Sequence, residues 1–213
     1  MSEQTPVLRL AVFASGSGSN FGAMLKAIDA GKLDAEPVLL ITTRPAIGAI
    51  DKAEARDIPV AILPPAKFES EGAFAEVLLH ALTEHQTNFI ALAGYLKKIP
   101  ASTVDAFKHR ILNIHPALLP SFGGEGMYGR RVHETVLEYG CRVSGVTVHL
   151  VDSEYDTGPI VLQEPVAVRP DDTPKSLAAR ALQLEHRLYP QALQLFAEGR
   201  VVVDGRRVHI RDG

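Results

Sequence analysis

Residues 7–21 read VLRLAVFASGSGSNF, and the way this run stops decides the fold. An apolar stretch breaks at a turn of glycine and serine and passes at once into a helix-like segment, as a strand does in a βαβ unit. The pattern recurs outward along the chain. EPVLLITT (36–43), IPVAILP (58–64), NFIALAG (88–94) and RILNIHP (110–116) follow, separated by segments with a period of about 3.6 residues. Runs apolar at nearly every position suit strands covered on both faces. The sequence therefore predicts an α/β fold with a doubly wound, mostly parallel sheet.

Beyond Pro116 come a loop rich in Gly and Pro (117–129), a helical stretch near 131–138, the alternating strand VSGVTVHLV (143–151), the loop DSEYDTGP (152–159) and IVLQEPVAV (160–168). Thr173 and Pro174 read as N-cap and first residue of a long amphipathic helix, with leucines at 177, 182, 184 and 188 and Gly199 as its stop. The tail RVVVDGRRVHI predicts a hairpin turning at Asp204-Gly205.

The 213 residues suit one domain, 1–213. A net charge of −3 lacks the basic excess of nucleic-acid binders, so no nucleic-acid partner is expected. No apolar run approaches the roughly 20 residues that cross a bilayer, and MSEQTPVLRL lacks a signal-peptide pattern, so no membrane partner is expected. Cys141 is the only cysteine, which excludes an intrachain disulfide and fits a reducing, cytoplasmic setting.

Chemistry concentrates at two places. Gly16, Ser17, Gly18, Ser19 and Asn20 lie in a turn that leaves backbone N–H groups free at a helix N-terminus, so a phosphate is the expected guest. The plain alternative is a tight structural turn. Phe21 replaces the third glycine of a dinucleotide fingerprint, and Thr42, Thr43 and Arg44 end the second strand without a ribose-binding acid.

The second place is RILNIHP. Asn113 and His115 share one strand face, roughly 6–7 Å apart, and Pro116 sets them at the strand's carboxyl end, where ligands bind in open α/β sheets. His80, His85, His109, His133, His186 and His209 read as structural. An amide and an imidazolium suit a developing oxyanion, and a histidine also moves protons in acyl transfer. A carboxylate would favour the charged ring; Asp156 and Asp152 both qualify, and spacing does not choose.

NIHPALLPSF (113–122), ASGSGSN (14–20) and VTVHLVDSEYDTGPI (146–160), in that arrangement, resemble the glycinamide ribonucleotide formyltransferases, the folate-dependent enzymes of purine synthesis. The likeness runs from the first strand through LEHRLYP (184–190). It implies transfer of the formyl group of the co-substrate 10-formyltetrahydrofolate to the amine of 5-phosphoribosylglycinamide, with no metal and no covalent intermediate. By the same resemblance Asn113 and His115 stabilise the oxyanion, His115 donates the proton and Asp156 raises its pKa. Residues 16–20 take the phosphate and Glu185 the ribose hydroxyls. The folate would touch Leu96, Lys97, Lys98 and Ile99, Asn113, and the loop Asp152, Ser153, Glu154, Tyr155 and Asp156.

Two positions depart from the family pattern. Glu71 stands where an arginine commonly contacts the folate, with Lys67 as the nearby substitute, and Leu182 where a polar or basic residue often supports the nucleotide. NIHPALLP is also similar to methionyl-tRNA formyltransferase and formyltetrahydrofolate hydrolase. The short tail after Gly199 and the early first strand favour the small purine enzyme. A non-catalytic nucleotide sensor is the rival from another class.

Overall fold

The computed structural model describes residues 7–212. Strand β1 (Leu8–Phe13) sends Leu10 and Val12 to one face of the sheet and Ala11 and Phe13 to the other, and all four are fully buried. Period-two alternation thus feeds two apolar clusters, one on each side. The elements follow as α1 (Ser19–Asp29), β2 (Ala35–Thr42), α2 (Gly48–Glu54), β3 (Val60–Ile62), α3 (Glu71–Glu84), β4 (Phe89–Leu92), α4 (Ala101–Ala106) and β5 (Ile111–His115). After these come α5 (Arg130–Glu138), β6 (Val143–Leu150), β7 (Ile160–Ala167), α6 (Pro174–Ala197), and the hairpin β8 (Val201–Asp204) with β9 (Arg207–Ile210).

The seven-stranded sheet has the order β3-β2-β1-β4-β5-β6-β7. Strands β1 to β5 pair in parallel, while β6 runs antiparallel to both β5 and β7. Strand order reverses between β1 and β4, so the loops leaving their carboxyl ends part and open a crevice. Residues 14–18 and 93–99 are those loops.

Helix α6 closes the crevice from one side. Thr173 accepts from Ser176 N–H while the Ser176 hydroxyl accepts from Thr173 N–H, a capping box ahead of Pro174. Pro190 lies inside the helix and removes one backbone donor, yet Leu188, Tyr189, Pro190, Ala192 and Leu193 are all buried and packing holds the helix across it. The fully buried Tyr189 hydroxyl lies 3.0 Å from Leu92 O and 2.9 Å from Leu112 O, tying α6 to the end of β4 and to β5 beside it.

The C-terminal hairpin turns one residue later than the sequence reading placed it. Asp204 stays in register opposite Arg207, leaving Gly205 and Arg206 as the turn. The first turn position needs a positive φ, which Gly205 supplies at 56°.

Candidate active site

Asn113 and His115 close β5, and the antiparallel neighbour sets His149 opposite Asn113 and Thr147 opposite His115. His149 Nδ1 lies 2.9 Å from Leu150 O, so that nitrogen carries the hydrogen and Nε2 is an acceptor. Asn113 Nδ2 then donates to His149 Nε2 at 3.1 Å. Its second hydrogen points at Asp156 Oδ1, 3.4 Å away. That bond is long and weak, so the hydrogen can be diverted to another acceptor.

The carboxylate comes from the β6–β7 loop. Asp156 Oδ2 stands 3.5 Å from His115 Nδ1, and Oδ1 stands 3.5 Å from His149 Nε2. Gly124 N–H donates to Asp156 Oδ2 at 3.0 Å. Asp156 holds a left-handed φ of 58°, a strain of about 1 kcal/mol that surrounding contacts must overcome. Gly158 packs the end of the same loop against β6, where a Cβ would sit 1.8 Å from Leu150 O. Asp152 is bound up in its own loop, accepting from Glu154 N–H at 3.1 Å and from the Thr157 hydroxyl at 2.6 Å. Geometry therefore puts Asp156, not Asp152, beside the imidazole.

The electrostatics change one expectation. Burial pulls the His115 pKa down further than the Asp156 carboxylate and the Phe122 carbonyl push it up, and the net value lies below the ordinary 6.5. The resting ring is neutral at pH 7, with Nε2–H donating to Phe122 O at 2.8 Å. Asp156 does favour the charged ring as the resemblance implied, but desolvation outweighs it. For Asp156, burial raises the pKa, while the neighbouring imidazoles of His149 and His115 and the Gly124 N–H lower it more, so it stays ionised.

At the glycine loop, Gly18 is the N-cap of α1 at φ 67°, ψ 37°. Among the described residues no protein acceptor meets the N–H groups of residues 16–21. Helix geometry leaves the first-turn donors unpaired, and the dipole draws an anion to them. Asn20 lies inside α1 with its side chain turned away from the loop, Nδ2 donating to Glu185 Oε2 at 2.7 Å. This bond joins the loop to α6. Burial raises the Glu185 pKa more than the Asn20 bond lowers it.

The 96–99 segment and the 152–156 loop face each other. Lys98 Nζ lies 3.6 Å from Glu154 Oε2 and 5.9 Å from the Tyr155 ring centroid. Leu96 and Tyr155 expose apolar surface there, whereas the Ile99 side chain is core and offers only backbone. Glu71 opens α3 on the surface, and Leu182 is partly exposed on α6. A groove of about 840 Å³ runs between α1 and α6 past Ser19, Gly22, Lys26, Lys52 and His186. A cleft of about 560 Å³ lies at the opposite, amino end of the strands, by Arg9, Glu36 and Gln86.

Residues 8–193 match the family model for formyl transferase. The chain belongs to that family. Phosphoribosylglycinamide formyltransferase of Bacillus subtilis is 37% identical over 186 residues, covering 87% of this chain and 93% of that one. The chloroplastic protein of the same name from Arabidopsis thaliana is 47% identical over 194 residues, 91% of this chain; the matched part spans 66% of the plant protein's length. Glycinamide ribonucleotide transformylase 1 of Symbiobacterium toebii superposes with a TM-score of 0.90 at 38% identity, covering 97% of this chain and 95% of that one. The fold is that of the formyl transferase family, with Asn113 and His115 at the carboxyl end of β5.

Sequence reading missed the groups that hold these side chains. His149 orients Asn113. Thr147 accepts from Leu119 N–H at 3.1 Å and donates to Ala117 O at 2.6 Å, and Gln163 donates to Leu119 O at 3.0 Å. These bonds brace the loop that delivers Phe122 O. His133, read as structural, is buried on α5 with Nδ1 unpartnered among the described residues.

A pH dependence follows. Burial lowers the pKa of His115, His133 and His186 below 6.5. A histidine whose folded pKa is depressed stabilises fully above its unfolded value and loses that contribution as pH falls through the folded one. Glu185, raised above 4.5, acts in the opposite sense at lower pH. We expect the thermal midpoint to hold above about pH 7 and to fall on acidification below 6.5. A His133→Gln protein should show a shallower fall; a midpoint that rises as pH drops from 7 to 5.5 contradicts this account.

Proposed function

We propose that this chain works as a single formyltransferase domain, in the cytoplasm, transferring the formyl group of 10-formyltetrahydrofolate to the primary amine of 5-phosphoribosylglycinamide in purine synthesis. What supports this most is the meeting of Asn113, His115 and Asp156 at the end of β5, in a formyl transferase fold that also carries an anion-ready loop after β1.

The amine nitrogen attacks the formyl carbon, a C–N bond forms, and the carbonyl π pair moves to oxygen. Asn113 turns its weakly held amide hydrogen to that oxyanion. Neutral His115 takes the proton of the attacking amine, and the imidazolium so formed lies beside Asp156. It returns the proton to the leaving folate nitrogen as that C–N bond breaks and the carbonyl re-forms. For Nε2 to act as the base, the ring hydrogen moves to Nδ1, facing Asp156, and a shift of the 121–131 loop frees Nε2 from Phe122 O. Loop amides 16–21 take the phosphate. Glu185 presents Oε1, unpartnered among the described residues, to the ribose hydroxyls. The folate lies between residues 96–99 and 152–156.

Mixing the protein with both substrates and following deformylated folate by absorbance tests this. Turnover is expected only when the ribonucleotide is present, and His115→Ala should lower kcat by about 10²–10⁴-fold. Equal formyl release without the ribonucleotide means water is the acceptor and the enzyme is a hydrolase. Binding of both substrates without turnover means a nucleotide sensor.

A further inference from the structure

We infer that Lys52, on α2, is a positioning and charge-supplying residue of the phosphate loop; this rests on the proposed ribonucleotide reading. Lys52 Nζ donates to Ser17 O at 2.9 Å and to Gly48 O at 3.2 Å. Both partners are neutral carbonyls, and among the described residues no carboxylate pairs with it. A half-buried cation without a counter-ion thus stands against the loop whose N–H groups lack acceptors.

The direction of the bond matters. In a trans peptide the C=O and the following N–H point opposite ways. Lys52 draws the Ser17 carbonyl toward α2, so the Gly18 N–H is turned away from α2. Ala49 N–H, 3.3 Å from Gly16 O, does the same for the Ser17 N–H. Space for the lysine is built in, since a Cβ at Gly22 would lie 3.2 Å from Lys52 Cε. Arg44 donates to Ser15 O and so turns the preceding peptide plane, that of the Gly16 N–H, leaving the Ser17–Gly18 plane to Lys52. Lys52 therefore fixes the peptide plane that aims one loop amide and adds positive charge behind the loop.

The test titrates the full chain with inorganic phosphate and ribose 5-phosphate by calorimetry, then measures kinetics. Lys52→Met should weaken phosphate binding and raise the ribonucleotide KM by about tenfold, with kcat and the folate KM within about twofold. Lys52→Arg should restore most of the affinity. Lys52→Gln, which still donates to Ser17 O without charge, should fall between, with a flatter dependence on ionic strength than the parent. Unchanged phosphate affinity in Lys52→Met and Lys52→Gln overturns the inference, as does a loss of both KM values and thermal midpoint that Lys52→Arg does not repair. Because phosphate titration needs no formyl transfer, Lys52-dependent binding in a protein without turnover would sink the proposed function and leave this inference standing.

Discussion

Asp156→Asn should retain its fold and lose about 10²–10⁴-fold in kcat, with both KM values changed only a few-fold. The amide has nearly the shape of the carboxylate, and its oxygen can still accept from Gly124 N–H, the 3.0 Å bond that ties the two loops. What it lacks is charge. When His115 takes a proton in its buried setting, the only carboxylate pairing with it among the described residues is Asp156, 3.5 Å from Nδ1. Without that anion only the Phe122 carbonyl still opposes the desolvation that already depresses the ring's pKa. Imidazolium formation becomes costlier, and so does the transition state that contains it. The buried His115–Asp156 pair also carries a pH signature. His115 must be neutral to act as base, so the acid limb of the kcat profile should lie below pH 6.5 in the parent and move lower still in Asp156→Asn. Steady-state rates between pH 5 and 9, with circular dichroism for the fold, decide the matter. A variant within tenfold of the parent, or an acid limb moved to higher pH, removes Asp156 from this role.

How far the site was legible in the sequence depends on how local each signal is. Asn113 and His115 could be placed on one face because strand alternation is a two-residue rule. The α6 N-cap could be read because Thr173 and Pro174 are adjacent in sequence. Choosing between Asp152 and Asp156 could not be local: both sit in one polar loop, and only folding shows one carboxylate capping its own loop and the other reaching β5. His149 was hidden for a related reason. VTVHLV reads as an ordinary alternating strand, yet β6 is buried from Ser144 to Leu150, and His149 meets Asn113 only through antiparallel pairing across 36 residues. The direction of the His115 pKa shift was also out of reach, because it is set by burial from many chain segments rather than by the one partner that the motif implies. Asn20 shows the limit in reverse: a residue read as part of a phosphate loop belongs by side chain to a bond with Glu185, 165 positions away.

Gly18→Ala is the substitution at which fold and binding should fail together. Gly18 holds φ 67°, where an alanine costs roughly 1–2 kcal/mol. Its Cβ would also stand 2.8 Å from both Ala49 Cα and Ala49 Cβ. The obstacle is backbone of α2, so relief requires the loop and helix to part, and overpacking of this kind costs about 1–3 kcal/mol more. The combined loss of about 2–5 kcal/mol corresponds to a thermal midpoint lower by roughly 5–15 °C in a domain of this size. Moving the loop off α2 also breaks the Gly16 O and Ser17 O contacts with Ala49 N–H and Lys52 that aim its amides. The ribonucleotide KM should accordingly rise by about 100-fold or more while the folate KM changes little, since residues 96–99 and 152–156 stand on other strands. Gly16→Ala separates strain from mere loss of glycine: a Cβ there meets nothing within 4 Å, and its thermal midpoint should shift by the equivalent of at most about 0.5 kcal/mol. If Gly18→Ala melts with the parent, the contact with α2 is not what shapes the loop. If it weakens both substrates equally, the loop is structural rather than a phosphate site.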